Sequence, residues 1–201
     1  MRSATMFGRR RPHLLVAAAV CVVLVLVAAF GVRTFVVRPF HIPSASMAPT
    51  VQPGDVVLVD RTARGTAERG ELVVFDGRGY FEPTTGEGQE GADGAVGGRF
   101  WLKRVIAIGG DRVTCCGADG RITVNGEPIG EPYLAAGVAP SEITFDLEVP
   151  EGRVFVLGDN RADSTDSRHL LGAPGGGMIP VERVMGRADR VVWPLSRAGE
   201  L

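Results

Sequence analysis

Lysine is almost absent from this chain, and cysteine and histidine are scarce. Twenty-one of the 201 residues are arginine, whereas Lys103 is the only lysine. Three cysteines cannot form a disulfide framework, and three scattered histidines show no metal-ligand spacing, so we expect no metal site. The net charge of -1 lacks the basic excess that generic nucleic-acid binding requires, and the apolar content of 45% is too high for a disordered chain.

Charge divides the chain into two unlike parts. Residues 1–54 contain six arginines and no acidic residue, whereas the remainder contains 16 basic and 23 acidic residues. An uncharged run, residues 14–32, lies in the basic part and would span about 28 Å as a helix, close to the apolar thickness of a bilayer. The arginines before it favour a short cytoplasmic N-terminus, residues 1–13, then one transmembrane helix and an exported domain. A cleaved signal peptide is the competing interpretation, but the run is long for one and lacks a good cleavage site.

Residues 33–201 predict a β-rich domain. Apolar residues occur there in short runs, often with a period of two, and Asn125-Gly126 between two such runs is a strong hairpin signal. A glycine-rich stretch, residues 77–99, indicates a flexible surface insertion between two strands, with a functional lid as the alternative. We expect a mainly antiparallel, barrel-like sheet with strands near 56–59, 71–75, 101–108, 143–149, 153–157 and 190–193.

Two serines lie two residues apart in a proline-bounded segment at 40–50, Phe-His-Ile-Pro-Ser-Ala-Ser-Met-Ala-Pro-Thr. Positions two apart in an extended backbone face the same side, so Ser44 and Ser46 could present their hydroxyls to one site. Pro43 and Pro49 limit the entropy lost when the segment is ordered. Taken alone, the segment is more typical of a Ser/Pro linker that leaves the membrane.

Lys103 lies among apolar residues in a predicted strand, with Trp101 and Val105 on the same face. Burial disfavours an ammonium group, so the pKa of this amine should fall, and a neutral amine can act as a general base. The alternative is a lysine whose stem packs on the strand while its amine stays in water, and we expect its neighbour Arg104 to be of that ordinary kind.

A polar stretch at 158–168, Gly-Asp-Asn-Arg-Ala-Asp-Ser-Thr-Asp-Ser-Arg, follows an apolar run at 154–157. Such a composition is typical of a surface loop. The same side chains could also form a buried, mutually satisfied polar network behind a site.

Taken in order, these segments closely resemble the bacterial type I signal peptidases (leader peptidases). The resemblance rests on residues 43–50, Gly-Asp at 54–55, Lys-Arg-Val at 103–105, Gly-Asp at 110–111 and the motif at 158–168. It covers the chain from the uncharged run to about Trp193, and it replaces the linker interpretation of the serine segment. One departure is Ile-Gly-Gly-Asp at 108–111, where Leu-Pro-Gly-Asp is commoner in the family.

The resemblance implies a role for each matching residue. Ser46 is the nucleophile, Lys103 is the general base, and Ser164 orients the lysine amine. The Ser44 hydroxyl and the Ser46 backbone N–H form the oxyanion hole. The remaining residues support the site (Asp159, Asp166 and Arg168) or line shallow substrate pockets (Phe40, Ile42, Pro43, Met47 and Leu102).

The implied activity is that of a membrane-bound serine endopeptidase that removes signal peptides from exported preproteins, cutting after small-x-small residues. Its expected place is the outer face of a bacterial cytoplasmic membrane, near the protein export channel. Its expected partners are preproteins and the lipid bilayer, without a cofactor. One rival class is another serine–lysine peptidase, such as a self-cleaving repressor relative, and the other is a non-catalytic exported β module. The predicted span argues against the first, and the complete set Ser46, Lys103 and Ser164 argues against the second.

The cysteines are expected to have no catalytic role. Cys115 and Cys116 are adjacent, which is compatible with a vicinal disulfide or with two free thiols. Cys21 lies inside the uncharged run and behaves there as a small apolar residue.

Overall fold

The structure is a computed structural model, and it describes residues 12–81, 100–173 and 175–201. The chain divides into two units, an N-terminal one that ends at Val37 and a C-terminal one that begins at Arg38.

Helix α1 (Pro12–Phe35) forms most of the described part of the N-terminal unit. It contains the whole uncharged run 14–32, and its residues 16–27 are exposed. Across the described ranges, no helix is both long and apolar enough to cross a membrane. The transmembrane span and the domain boundary at residue 13 stay predictions, and residues 1–11 of the predicted cytoplasmic segment lie outside the described residues.

The strands of the two β-sheets are β1 (Val37–His41), β2 (Val56–Asp60), β3 (Leu72–Asp76), β4 (Phe100–Ile108), β5 (Arg112–Cys115), β6 (Thr123–Val124), β7 (Glu127–Pro128), β8 (Phe145–Glu148), β9 (Arg153–Leu157), β10 (Ile179–Pro180), β11 (Val184–Trp193) and β12 (Gly199–Glu200). The large sheet has the order β1-β2-β11-β3-β4-β9-β10, with β12 paired to β11, and the small sheet has the order β7-β6-β5-β8. The strand pairs from β2 onward are antiparallel. Short 3-10 helices cover Arg61–Ala63, Ser167–Leu170, Val181–Arg183 and Leu195–Arg197.

The mainly antiparallel β architecture predicted from apolar periodicity is confirmed. Each of the six predicted runs forms at least part of a strand, and the Asn125-Gly126 hairpin joins β6 to β7 with φ angles of 55° and 84°. Strand β11 starts at Val184, six residues before the predicted run. The sequence pattern did not indicate these residues, because Gly186 and charged residues interrupt the apolar periodicity there. Glycine is needed at that position, since an added Cβ would lie 2.9 Å from the carbonyl carbon of Asp60 in β2.

The structure also bears on two smaller sequence predictions, the insertion at 77–99 and the adjacent cysteines. Residues 77–81 of the predicted insertion form a turn after β3, in which Phe81 is buried and its ring packs edge-on against Phe75 and Trp101. The rest of the insertion, residues 82–99, lies outside the described residues. In the structure, Cys115 and Cys116 are joined by a disulfide at the end of β5, the first of the two alternatives.

Candidate active site

Ser46 lies in a turn between β1 and β2 that is built into the core. The Ala48 N–H donates to the Ala45 carbonyl over 3.0 Å, and the Val51 N–H donates to the Met47 carbonyl over 2.9 Å. The side chains of Met47 and Val51 are buried in an apolar cluster with residues of β2, β3 and β11. These hydrogen bonds and the apolar packing therefore fix the turn. Ser46 lies at its partly exposed surface.

Lys103 points from β4 to Ser46. Its Nζ lies 2.7 Å from the Ser46 Oγ, and the residue is only 1% exposed. Burial lowers the pKa of Lys103 to about 8, against the opposing charges of Asp166 and Asp159. About a tenth of the amine is therefore neutral at pH 7, and this neutral form can accept a proton from the serine.

Ser44 lies on the same side of the turn as Ser46. Their Oγ atoms are 3.3 Å apart, and Ser44 is exposed. The structure thus brings together the two hydroxyls that the extended-chain argument places on one side. A hydroxyl in this position can donate a hydrogen bond to an oxyanion that forms when Ser46 attacks a carbonyl.

Ser164 is buried beside the serine turn. Its Oγ does not form the hydrogen bond to Lys103 that the family resemblance implies, and it lies instead next to Asp166, where it helps to lower the pKa of that carboxyl. The amine of Lys103 instead donates to Ser46. Gly158 brings the two segments together, because an added Cβ there would lie 2.5 Å from both the Ser164 Cβ and the Ser46 carbonyl oxygen.

Asp166 and Arg168 form a buried ion pair behind Lys103. Arg168 Nε and Nη2 each donate to Asp166 over 2.8 Å, and the Gly158 N–H adds a third hydrogen bond of 3.1 Å. Burial alone would raise the pKa of Asp166, but the hydrogen bonds and charge of Arg168 outweigh it and hold this pKa below its usual value. Asp166 is therefore an anion next to a buried amine.

Asp159 pairs with Arg104, which corrects our expectation that Arg104 is an ordinary surface arginine. Arg104 Nε and Nη2 donate to the two Asp159 oxygens over 2.8 and 2.7 Å, and the two side chains are 11% and 0% exposed. The Thr50 hydroxyl also donates to Asp159 over 2.6 Å. Asp159 thus connects β4 to the serine turn, a contact across 55 residues that local sequence patterns do not contain.

Asn160 is a site residue that sequence reasoning missed, although it belongs to the recognised motif at 158–168. Its backbone N–H donates to the Ser46 carbonyl and its Nδ2 to the Ala45 carbonyl, each over 3.1 Å. The two bonds fix the carbonyl groups around Ser46, so Asn160 helps to orient the serine.

A largely apolar cavity of about 230 Å³ opens beside Ser46 and Lys103. The five predicted substrate-pocket residues all line it, together with both serines. Four further lining residues were not predicted as site residues: His41, Val74, Phe100 and Trp101. Trp101 had a usable signal, since it shares a strand face with Lys103, and its ring centre lies 5.6 Å from Nζ. The apolar lining of the cavity suits apolar side chains.

The chain is similar to proteins of one known family. The family model described as signal peptidase, peptidase S26, matches residues 15–193. A probable signal peptidase I of Mycobacterium leprae is 34% identical over 223 residues, covering 90% of this chain and 77% of the relative. Signal peptidase I of Bacillus licheniformis is 31% identical, covering 87% of each chain, and probable signal peptidase I-2 of Synechocystis is 35% identical, covering 89% of this chain and 73% of the relative.

Proposed function

The chain belongs to the signal peptidase family, peptidase S26, and is a serine endopeptidase, and we propose that it hydrolyses peptide bonds with a Ser46–Lys103 dyad. The observation that carries the proposal is the 2.7 Å hydrogen bond between the buried Lys103 amine and the Ser46 hydroxyl. A serine needs an adjacent base to become a nucleophile at neutral pH, and a buried neutral amine is such a base.

The reaction begins when the neutral Lys103 amine removes the proton from Ser46 Oγ as that oxygen attacks the scissile carbonyl. The Ser44 hydroxyl and the Ser46 backbone N–H donate to the resulting oxyanion. The Lys103 ammonium then protonates the leaving amine, and an acyl-enzyme remains on Ser46. Lys103, neutral again, activates the water that hydrolyses the ester and returns the proton to Ser46.

The surrounding groups keep the amine in place and limit its access to water. The Asp166–Arg168 pair supports the segment that carries Ser164, and the Arg104–Asp159 pair supports the serine turn. We assign Ser164 the role of a second hydrogen-bond partner for the amine once Ser46 has been acylated. Its position supports this role, because the hydroxyl is buried against Gly158, next to the serine turn.

The cavity beside the dyad would hold the substrate side chains next to the cleaved bond. Phe40, Ile42, Pro43, Met47 and Leu102 line this cavity, and we propose cleavage after small-x-small sequences. A substrate series with Ala, Val or Leu immediately before the cleaved bond tests this, and rates that do not fall from Ala to Leu would contradict it.

Signal-peptide-bearing preproteins are the proposed substrates, cleaved at the outer face of a bacterial cytoplasmic membrane near the export channel. We propose that residues 14–32 anchor the enzyme with its N-terminus inside, a proposal supported by the uncharged run and the arginines that precede it. Two molecules held in one bilayer meet at a high effective concentration.

The decisive experiment compares four membrane preparations that contain wild type, Ser46→Ala, Lys103→Met or the matched control Ser196→Ala, a substitution at an exposed serine. Each is mixed with a labelled preprotein, and the released signal peptide is quantified. We expect cleavage by wild type and the control alone. Wild-type rates in either dyad variant would refute the dyad, and no cleavage by wild type would refute the substrate class.

A further inference from the structure

The loop at residues 130–140, which follows β7 in the small sheet, docks against the catalytic motif at 158–168. Glu131 pairs with Arg161, and the two side chains are 5% and 1% exposed. Arg161 also donates to the Pro140 carbonyl over 2.6 Å and, through Nε, to the Gly158 carbonyl over 3.0 Å. A loop of the small sheet is thus tied by buried hydrogen bonds to the segment that carries Asp159 and Ser164.

Tyr133 lies in this loop and faces two guanidinium groups. Its ring centre is 4.0 Å from the Arg104 Cζ and 5.9 Å from the Arg161 Cζ. Its hydroxyl donates to Glu131 over 3.0 Å. Burial and the charge of Glu131 raise the pKa of Tyr133, so the hydroxyl remains a donor and the ring remains neutral.

The Arg104 guanidinium links Tyr133 to the serine turn. Arg104 donates twice to Asp159 and once, over 2.7 Å, to the Gly70 carbonyl. Asp159 accepts the Thr50 hydroxyl from the turn that presents Ser46. Tyr133 covers one face of the Arg104 guanidinium, so it helps to keep that group in the planar pair with Asp159.

We propose that Tyr133 is a positioning residue for the reaction: its ring holds Arg104 in the planar pair with Asp159, and this pair in turn positions the Ser46 turn and the charge beside Lys103. The inference rests on the proposed Ser46–Lys103 dyad for its kinetic consequence. Its effect on the titration of Lys103 can be measured without catalysis.

The charges around Lys103 determine in which direction its titration midpoint changes. Asp166, Asp159 and Asp163 favour the ammonium form, whereas burial and Arg168 oppose it. The Asp159 carboxylate is fully buried and is compensated by Arg104. When Arg104 loosens, the carboxylate acts on the amine with less compensation, so Lys103 keeps its proton to a higher pH and a smaller fraction is available as base.

The test exploits the single lysine of the chain. Protein grown with 13C-labelled lysine gives one Lys103 side-chain signal, whose titration midpoint we expect at about 8 in the wild type. Position 133 is replaced by phenylalanine or by pentafluorophenylalanine, which have nearly the same shape but opposite charge distribution on the ring face. We expect a wild-type midpoint with phenylalanine and a higher midpoint with the fluorinated ring.

Activity provides the second measurement. With the fluorinated ring we expect kcat to fall about threefold to tenfold at neutral pH, with KM unchanged. The chain contains one other tyrosine, Tyr80, whose ring lies 5.6 Å from the Arg153 Cζ and 6.0 Å from the Arg183 Cζ. The same fluorinated residue at position 80 is the matched control, and it should leave the Lys103 midpoint and kcat unchanged.

Equal Lys103 midpoints for phenylalanine and pentafluorophenylalanine at position 133 would overturn the proposal, whatever the change in kcat. A higher midpoint at both positions 133 and 80 would also overturn it, since the effect would then be general. Failure of the dyad itself gives a different result, because Lys103→Met would retain cleavage while the titrations remained interpretable.

Discussion

The Nζ of Lys103 lies 2.7 Å from the Oγ of Ser46, although 57 residues separate them in the chain. Lys103 lies on strand β4, inside the large sheet, where it pairs in register with Val73 of β3. Ser46 lies in a turn that is anchored by the buried side chains of Met47 and Val51. An amine with no appreciable exposure and one short hydrogen bond to a serine is arranged to exchange a proton with it.

The pH dependence of cleavage should follow Lys103. Burial lowers its pKa to about 8, and only the neutral amine can accept the serine proton, so kcat/KM should rise through that pH as the amine loses its proton. A rate profile for a peptide substrate between about pH 6 and about pH 10 measures this. A rate that stays constant across the range would contradict a lysine base.

The same group should make stability depend on pH. The folded-state pKa of about 8 lies below the ordinary 10.5, so the unfolded chain binds more protons between these values and stability rises with pH there. Replacing Lys103 by methionine should remove this rise and stabilise the fold at neutral pH by up to about 3 kcal/mol. Urea unfolding of both proteins at several pH values tests this, and parallel pH curves would contradict it.

The Asp166–Arg168 pair should be essential for stability, unlike an exposed pair of the same spacing. Asp166→Asn leaves the buried Arg168 charge without its partner, which should cost about 3–5 kcal/mol of unfolding free energy. The matched control is Asp119→Asn, because Asp119 pairs with Arg121 at the surface, with side chains 42% and 52% exposed. We expect little change in the control, and equal losses in the two variants would show that burial is not the cause.

Gly158 should tolerate no side chain. An added Cβ would lie 2.5 Å from both the Ser46 carbonyl oxygen and the Ser164 Cβ, so Gly158→Ala should displace the serine turn and lower kcat more than about tenfold. Gly172→Ala is the control, because a Cβ built there meets no atom within 4 Å among the described residues other than its chain neighbours. Equal kcat values in a peptide assay would mean that the contact at position 158 relaxes without harm to the site.

Much of the local structure could be predicted from the amino-acid order. Period-two apolar runs predicted the antiparallel strands, Asn125-Gly126 predicted the hairpin, and the apolar neighbours of Lys103 predicted its burial. These features depend on neighbours within a few residues, so a single chain segment contains the information. The ordered motifs also indicated the family, because their residue types and spacing are specific.

Only the tertiary structure decided which distant groups meet. The pairing of Arg104 with Asp159, the two bonds from Asn160 to the serine turn and the ring of Tyr133 over Arg104 all join segments far apart in the chain. Alternation along a strand says whether a side chain points inward, but not what it meets there. That partner depends on strand order and register in the folded sheet, which is why Arg104 resembled a surface arginine in the sequence and forms a largely buried ion pair in the structure.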